Sequence, residues 1–191
     1  LLEDLEEAIT NDTLMSFEDV AKVALHDAEA RARELAILLL WENFEEKLIP
    51  ILIQAATKDA DTRVRAQATS KLGFYVLQGE LDEISERYYR MVNDALFVIL
   101  NGTDDDTVRC AALEGLGFSS RDDMGEIIRT AFQKKDLRWK ASAVMAMGRS
   151  AHTDLWGQSV LGMLKSEAYD VQMEAVRAAG ELGMKEAREP L

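Results

Sequence analysis

A short phrase that recurs along the chain limits its possible folds more than any other feature. It reads DDTVRCAALEGLG at residues 105–117, and looser copies begin at residues 27, 61, 136 and 168. A period of about 30 to 45 residues signals a repeat array, whose units bury their apolar faces only by stacking on their neighbours.

Each phrase has the pattern of an amphipathic helix. With its first residue counted as position 0, apolar or small residues occupy +3, +7 and +11, as do Val108, Ala112 and Leu116. These spacings place them on one helical face, and we expect the glycine that follows at +12 to end the helix. A second amphipathic stretch, such as FEEKLIPILIQAATK, precedes each phrase. The repeating unit is therefore predicted to be helix, turn, helix, in an all-α chain.

The motif D-x-x-V-R-x-x-A-x-x-x-L-G on the second helix of each pair resembles HEAT repeats, in particular the short HEAT-like repeats of phycobilin lyases. The resemblance implies an α-α superhelix of about five antiparallel helix pairs, with partners usually held on the concave face of the second helices. It covers roughly residues 14–191, with repeats at about 14–40, 44–78, 81–118, 121–149 and 153–183. We expect residues 1–191 to form one domain.

Two prolines fit this alignment. Pro50 lies eleven positions before Asp61, and first helices of HEAT repeats often carry such a proline. Pro190 has the same relation to a position near residue 201. We therefore expect residues 184–191 to begin a further repeat, and the chain to be a fragment of a longer array.

Charged residues mark the turn between paired helices. Asp104, Asp105 and Asp106 could suggest a cation site, but aspartate in this turn is expected to cap the second helix. The resemblance implies that the basic residue at +4 is a structural partner of such aspartates. The residues at +4 are Arg31, Arg65, Arg109 and Lys140.

The step from residue 61 to residue 105 is longer than the others. Its additional residues indicate a longer first helix or an added turn around Tyr88 and Tyr89. Extra turns in solenoids serve binding or change the curvature, and both interpretations stay open at this point.

The net charge of −13 is divided unevenly, with −9 in residues 1–60 and −4 in the remainder. This balance disfavours nucleic acid and anionic membranes as partners, and it favours a basic protein. The longest apolar run has seven residues, far fewer than the roughly 20 that span a bilayer. Because Cys110 is the only cysteine, we expect a reducing, cytoplasmic location.

No set of residues predicts a reaction. The two histidines, His26 and His152, are distant from each other in sequence, which is too few ligands for a typical zinc site. Ser159 lies in GQSVLG on a predicted helix rather than after a strand, where a nucleophile elbow would place it. We expect no catalytic residue, cofactor or metal.

A candidate binding face follows from helical geometry. If +3, +7 and +11 face the core, then +2, +6, +9 and +13 face away from it. Large apolar residues at +13 are typical of an interaction site, although helix ends that tuck between repeats would give the same pattern. The candidate residues are Leu40, Arg63, Gln67, Phe74, Glu114, Phe118, Arg138, Met145, Arg149 and Arg177.

The sequence therefore predicts a non-catalytic scaffold that binds a protein or peptide, of basic or extended character, on its concave face. The resemblance also implies an alternative, an accessory subunit of a phycobilin-lyase-like enzyme that attaches a chromophore to a carrier protein. Nothing in the pattern specifies an oligomeric state.

Overall fold

The computed structural model describes residues 18–188, and within that range it contains ten α-helices and no strand. Pro190 therefore lies outside the described residues. In chain order the helices are α1 (Glu18–Ala24), α2 (Ala30–Leu39), α3 (Leu48–Lys58), α4 (Thr62–Glu80), α5 (Glu86–Asn101), α6 (Asp106–Leu116), α7 (Met124–Phe132), α8 (Leu137–Arg149), α9 (Thr153–Met163) and α10 (Tyr169–Glu181). A short 3-10 helix, Lys185–Arg188, follows them.

The helices form five consecutive pairs, which confirms the predicted all-α chain of helix pairs. Each odd-numbered helix packs against the even-numbered helix that follows it. The even-numbered helices also pack against one another in order, from α2 to α10. They form one layer and the odd-numbered helices form the other, and the packing is closer within the even-numbered layer. No helix in the described range is long and apolar enough to span a membrane.

Aspartates begin three of the even-numbered helices, as predicted. The side chains of Asp61, Asp105 and Asp136 accept hydrogen bonds from backbone N–H groups two residues further on, at 2.8, 2.7 and 2.9 Å. These bonds satisfy N–H groups that have no partner within the helix. Position 0 of the repeat is therefore the N-cap.

The recurring apolar sites form the core. In the third repeat Val108, Ala112 and Leu116 are all fully buried, and the same is true of Val171 and Ala175 in the fifth. Each repeat thus contributes one apolar stripe of its second helix to a core that is continuous along the array.

The first repeat corrects the predicted register. The N-cap of α2 is Glu29, not Asp27, so position 0 moves by two residues. Ala36 then takes +7 and Leu40 takes +11, and both are buried in the core. The prediction that Leu40 is exposed was therefore wrong. Arg33, rather than Arg31, becomes the basic residue at +4.

The glycines at +12 have a role that differs from the predicted one. Gly117 is the C-cap of α6, but Gly73 lies inside α4 and Gly148 inside α8, so these two do not end helices. A Cβ atom on Gly73 would lie 2.5 Å from the Cα atom of Gly115, which is too close for any side chain. The same contact, from +12 to +10 of the next repeat, recurs as Gly117 on Ala146 and Gly148 on Ala178.

The extra residues of the third repeat lengthen the helices around it. Helix α4 has 19 residues and α5 has 16, whereas α6 has 11. Tyr89 of α5 packs directly on Gly79 near the end of α4, and its hydroxyl is hydrogen-bonded to Glu80. Tyr88 is half-buried against the core. These contacts fix the added helical turns to each other.

Candidate functional site

A row of aromatic side chains runs across successive repeats, at +12 or +13 of each. The rings of Phe74 and Phe118 lie 6.1 Å apart, and Trp41 packs edge-on against Phe74 at 4.5 Å. The guanidinium of Arg149 lies 4.7 Å from the Phe118 ring centroid and 5.6 Å from that of Phe74. Trp41, Phe74, Phe118 and Arg149 therefore form one continuous surface, which we call the aromatic row.

Arg149 is held firmly at the end of this row. Its Nη1 donates a hydrogen bond of 2.8 Å to the backbone oxygen of Glu114. Burial lowers the pKa of its guanidinium from the usual value. Because the side chain is fixed by this bond and by two rings, Arg149 supports the surface and is not a mobile arm.

A groove of about 550 Å³ lies between α6, α8 and α10. Four predicted residues line it, Glu114, Arg138, Met145 and Arg177. The structure therefore brings together residues that belong to three different repeats. The groove is also lined by Tyr169, Met173 and Glu174.

Two carboxylates of the groove, those of Glu114 and Glu174, are poorly solvated. Glu174 accepts a 2.9 Å hydrogen bond from Arg177 on Oε1, but its buried Oε2 has no hydrogen-bond partner, alone among buried side-chain oxygens and nitrogens of residues 18–188. Glu114 accepts a 2.6 Å hydrogen bond from the Ser142 hydroxyl. Burial raises the pKa of both carboxyl groups. A buried oxygen without a donor is costly, so this groove is suited to a ligand that donates hydrogen bonds.

Two accessible residues with large apolar parts lie at the groove. The side chain of Tyr169 is 71% exposed, and Met173 is 36% exposed. Methionine adapts its shape to different partners, and tyrosine combines an apolar ring with a polar tip. Sequence reasoning missed both residues because they occupy +1 and +5, outside the four positions assigned to the exposed face.

The other predicted residues do not join the groove. Arg63 is exposed and pairs with Asp61 of its own turn at 2.9 Å. Gln67 is half-buried on α4, and Leu40 belongs to the core. The ten candidates therefore separate into three in the aromatic row, four in the groove and three elsewhere.

Lys71 is a buried cation that sequence reasoning also missed. Its Nζ donates a 2.6 Å hydrogen bond to the backbone oxygen of Trp41 and lies 3.7 Å from the Phe44 ring centroid. Burial lowers its pKa to about 7. The available signal was its position, since +10 holds glycine or alanine in the third, fourth and fifth repeats.

Metal ligands and the single cysteine are the remaining groups with possible chemistry. In residues 18–188 no three His, Cys, Asp or Glu side chains are grouped so that they could hold a metal ion. Cys110 is buried, and burial raises the pKa of its thiol to about 11. A thiol with such a pKa is protonated at neutral pH and is a poor nucleophile.

Comparison with known proteins adds information on the fold. No family model matches the chain, and no curated protein matches it. The crystal structure of Kap121p aligns with 97% of this chain, and with 18% of its own, at 14% identity and a TM-score of 0.55. The chain has the fold of a HEAT-like solenoid. It spans less than a fifth of the Kap121p chain, and at this identity the similarity extends to the fold alone.

Two further solved structures align less closely with the solenoid. One is an engineered protein, with 17% identity, a TM-score of 0.49, and coverage of 91% of this chain and 82% of that one. The other is importin beta in an ammonium sulfate condition, with 15% identity, a TM-score of 0.48, and coverage of 91% and 27%.

Proposed function

We propose that this solenoid is a non-catalytic scaffold that binds an extended, basic segment of another protein in the groove between α6, α8 and α10. The observation that carries the proposal is the buried Oε2 of Glu174, which has no donor in the described part of the chain. A lysine or arginine side chain of a partner would supply that donor and a compensating charge once the Glu174 carboxylate turned toward the groove.

The part of the groove between its apolar residues and its glutamates suits such a side chain. Its hydrocarbon part would lie against Met145, Met173 and the ring of Tyr169, and its charged end would reach Glu174 and Glu114. Long cationic side chains commonly bury their methylene groups in this way. The net charge of −13 would also accelerate the encounter with a basic partner.

The aromatic row gives the proposed site a second part. Arg149 connects the two parts, since it lies over the Phe118 ring and donates to the backbone of Glu114 in the groove lining. A partner segment that continues beyond the groove would place an apolar residue against Phe118 and Phe74. Stacked helices hold both parts in place before binding. The entropy cost of ordering the site is therefore small, and many weak contacts can add up in affinity.

The proposal includes a cytoplasmic location and a concave shape for the face formed by the even-numbered helices. The location rests on Cys110, which is a free, buried thiol in the structure. The concave shape is supported by the closer packing of the even-numbered helices.

A peptide titration tests the proposal. Short fluorescein-labelled peptides, with two lysines and a leucine in a serine–glycine background, are titrated with the protein, and anisotropy is measured at two salt concentrations. Peptides with glutamine in place of lysine are the matched controls. We expect the lysine peptides to bind and to bind more weakly at the higher salt concentration.

Two variants locate the binding on the molecule. Glu174→Gln keeps the shape of the groove and should weaken the lysine peptide about tenfold, since hydrogen bonds to charged groups are worth roughly 1.5–3 kcal/mol. Glu126→Gln removes the same charge from an exposed side chain outside the groove and should have little effect. Equal losses in the two variants, or equal binding of the glutamine peptides, would reject the groove as the site.

The phycobilin-lyase-like alternative gives a different outcome in a parallel experiment. A linear tetrapyrrole mixed with the protein would show a shifted absorption spectrum if the chain were an accessory subunit of a chromophore-attaching enzyme. An unshifted spectrum together with lysine-dependent peptide binding would favour the scaffold.

A further inference from the structure

A second pocket, of about 250 Å³, lies where the third repeat meets the fourth, among α5, α6, α7 and α8. Its walls are the apolar side chains of Leu100, Ile127, Ala131 and Trp139. It shares no lining residue with the groove. We call it the junction pocket.

Two cations meet in the junction pocket, and no carboxylate of residues 18–188 is hydrogen-bonded to both of them. Lys134 Nζ lies 3.0 Å from the ring centroid of Trp139, and the Arg109 guanidinium carbon lies 5.0 Å from the same centroid. Within residues 18–188, Lys134 has no ion pair or hydrogen bond through Nζ. Arg109 donates from Nε to the backbone oxygen of Leu100 and from Nη1 to Asp106, both at 3.1 Å, which leaves Nη2 available.

In the two earlier repeats, a carboxylate lies next to the basic residue at +4, where the junction pocket has Lys134. Arg33, at +4 of the first repeat, donates to both carboxylate oxygens of Asp59 at 2.7 Å. Arg65, at +4 of the second repeat, donates to both oxygens of Asp104 at 2.8 and 2.7 Å. The predicted pairing with turn aspartates is confirmed for Arg65 and for Arg109, whose partner is Asp106 of its own turn. In the first repeat the residue that pairs with Asp59 is Arg33 and not the predicted Arg31.

Lys134 occupies the position of Asp59 in the fourth repeat. Each of them lies two residues before the N-cap aspartate of an even-numbered helix. A pocket of about 300 Å³ at the first junction is lined by Asp59, just as the junction pocket is lined by Lys134. The same architecture thus binds an internal carboxylate at the first junction and presents two cations at the third.

We propose that the junction pocket binds one aspartate or glutamate side chain from an extended segment of a partner protein, with its carboxylate between Arg109 and Lys134. The carboxylate would take the place that Asp59 and Asp104 occupy in the other repeats. The apolar walls would contact a flanking side chain of the same segment. Burial and the nearby Arg109 lower the pKa of Lys134, and a bound anion would relieve this repulsion.

The size and surrounding charges favour a carboxylate over a phosphate group. A volume of about 250 Å³ is below that of typical small-molecule sites, and it is enough for one side chain. Glu126 lines the pocket, and Asp106 pairs with Arg109 at 3.1 Å. A dianion would be repelled by these two carboxylates more strongly than a single negative charge.

The experiment titrates ¹⁵N-labelled protein with a decapeptide that contains one Asp–Leu pair in a serine–glycine background. Binding is followed at the indole N–H resonance of Trp139, which is assigned with a Trp139→Phe variant. The same peptide with Asn–Leu, and inorganic phosphate, are titrated in parallel. We expect the aspartate peptide to shift this resonance with saturation, and the asparagine peptide to bind about tenfold more weakly or worse.

Neighbouring lysines provide a matched pair of variants. Lys134→Met should weaken the aspartate peptide at least about tenfold, whereas Lys135→Gln removes the same charge from an exposed neighbour and should change affinity less than about twofold. Lys134→Asp should abolish peptide binding while the protein stays folded, because a second internal carboxylate, besides that of Asp106, then faces Arg109 in the pocket. The circular dichroism spectrum of each variant checks the fold.

Three results would overturn the proposal. They are equal binding of the aspartate and asparagine peptides, equal losses in the Lys134 and Lys135 variants, and saturation by inorganic phosphate at lower concentrations than by the peptide. Glu174→Gln should leave this titration unchanged, so failure here is distinguishable from failure of the groove as a basic-peptide site.

Discussion

The first and third junctions of the solenoid each contain a lysine that has no acid partner among residues 18–188, and they place it differently. At the first junction Lys71 lies inside the array, fully buried beside Trp41 and Phe44. At the third junction Lys134 lies in a pocket at the surface, half-buried over Trp139. Because Lys71 is buried, no partner can reach it, whereas Lys134 is accessible from the surface.

The two junctions also differ in the residue that lies two positions before the N-cap. At the first junction the outer position before the N-cap holds Asp59, which binds Arg33 and closes that site. At the third junction the same position holds Lys134, and the inner contact is the close approach of Gly117 to Ala146. The comparison teaches that a cation can be offered to a partner only where the repeat pattern lacks its outer carboxylate.

The largest expected effect is the pH dependence caused by Lys71. Its folded pKa of about 7 lies below its ordinary value of 10.5, so the unfolded chain binds more protons between these values. Stability should therefore rise with pH across this window, by at most about 1.4 kcal/mol for each pH unit. Urea unfolding of the protein and of Lys71→Met, at pH 7 to 10, measures the difference between the two slopes.

Equal slopes for the two proteins would contradict the burial of a lysine that titrates in this window. Lys58→Met, on an exposed side chain, is the control for removal of a lysine charge. It should retain the slope of the parent protein.

A smaller effect is expected from the glycine contacts between even-numbered helices. In Gly115→Ala the new methyl group would lie 2.6 Å from the Cα atom of Gly73, so two backbones must move apart. We expect a loss of about 3 kcal/mol. In Gly180→Ala the methyl group meets nothing within 4 Å, so it should stabilise by up to about 1 kcal/mol through helix propensity.

Denaturant unfolding of both glycine variants checks this prediction. If Gly115→Ala were as stable as Gly180→Ala, the spacing of the second helices would not depend on the small residues at +10 and +12.

The ion pair of the first junction should contribute less than the glycine contacts. The side chains of Arg33 and Asp59 are 16% and 10% exposed, and two hydrogen bonds join them. Asp59→Asn should therefore cost about 2 kcal/mol, as expected for hydrogen bonds to a charged group. Asp122→Asn, in an exposed turn, is the control and should change the free energy of unfolding little. Comparable losses of stability in the two variants would contradict a stabilising role for the Arg33–Asp59 ion pair.

The smallest expected effect is the repair of the third junction. Lys134→Asp would give Arg109 a second carboxylate, besides Asp106, and should stabilise the protein by about 1 kcal/mol. Lys135→Asp makes the same charge change next to it and should not stabilise. Thermal unfolding of both variants measures the two changes in stability. Equal stabilisation of the two variants would indicate that the change in net charge is the cause.

Much of the fold could be predicted because local patterns repeat. The caps at Asp61, Asp105 and Asp136 and the buried stripe at +3, +7 and +11 depend on spacing alone. The first register was missed because Asp27 resembles a cap in sequence, yet its carboxylate accepts a hydrogen bond from the backbone of Glu29 at 2.8 Å before the helix begins. If position 0 of the first repeat is Glu29, its distance in sequence to Asp61 equals the distance from Asp136 to Ala168. This regular spacing could have identified the correct N-cap.

The candidate site was harder to predict, because its properties arise between repeats. Glu114 and Arg177 belong to repeats that are not adjacent in sequence, and only stacking places both at one groove. Periodicity placed Phe74 and Phe118 correctly on one side of the array, but it could not show that Arg149 covers their rings. Lys134 gave a usable signal, since it replaces an acid found at the same position of the second repeat.

The contacts between +12 and +10 also restrict how such a chain can be recombined. Trp41 at +12 of the first repeat is followed by Lys71 at +10 of the second, whereas the later junctions pair glycine with glycine or alanine. Each repeat thus carries one half of a contact, and the matching half lies in the next repeat. A shuffled gene that placed the first repeat before the fourth would press an indole against Ala146, so the order of these modules is encoded in their contact surfaces.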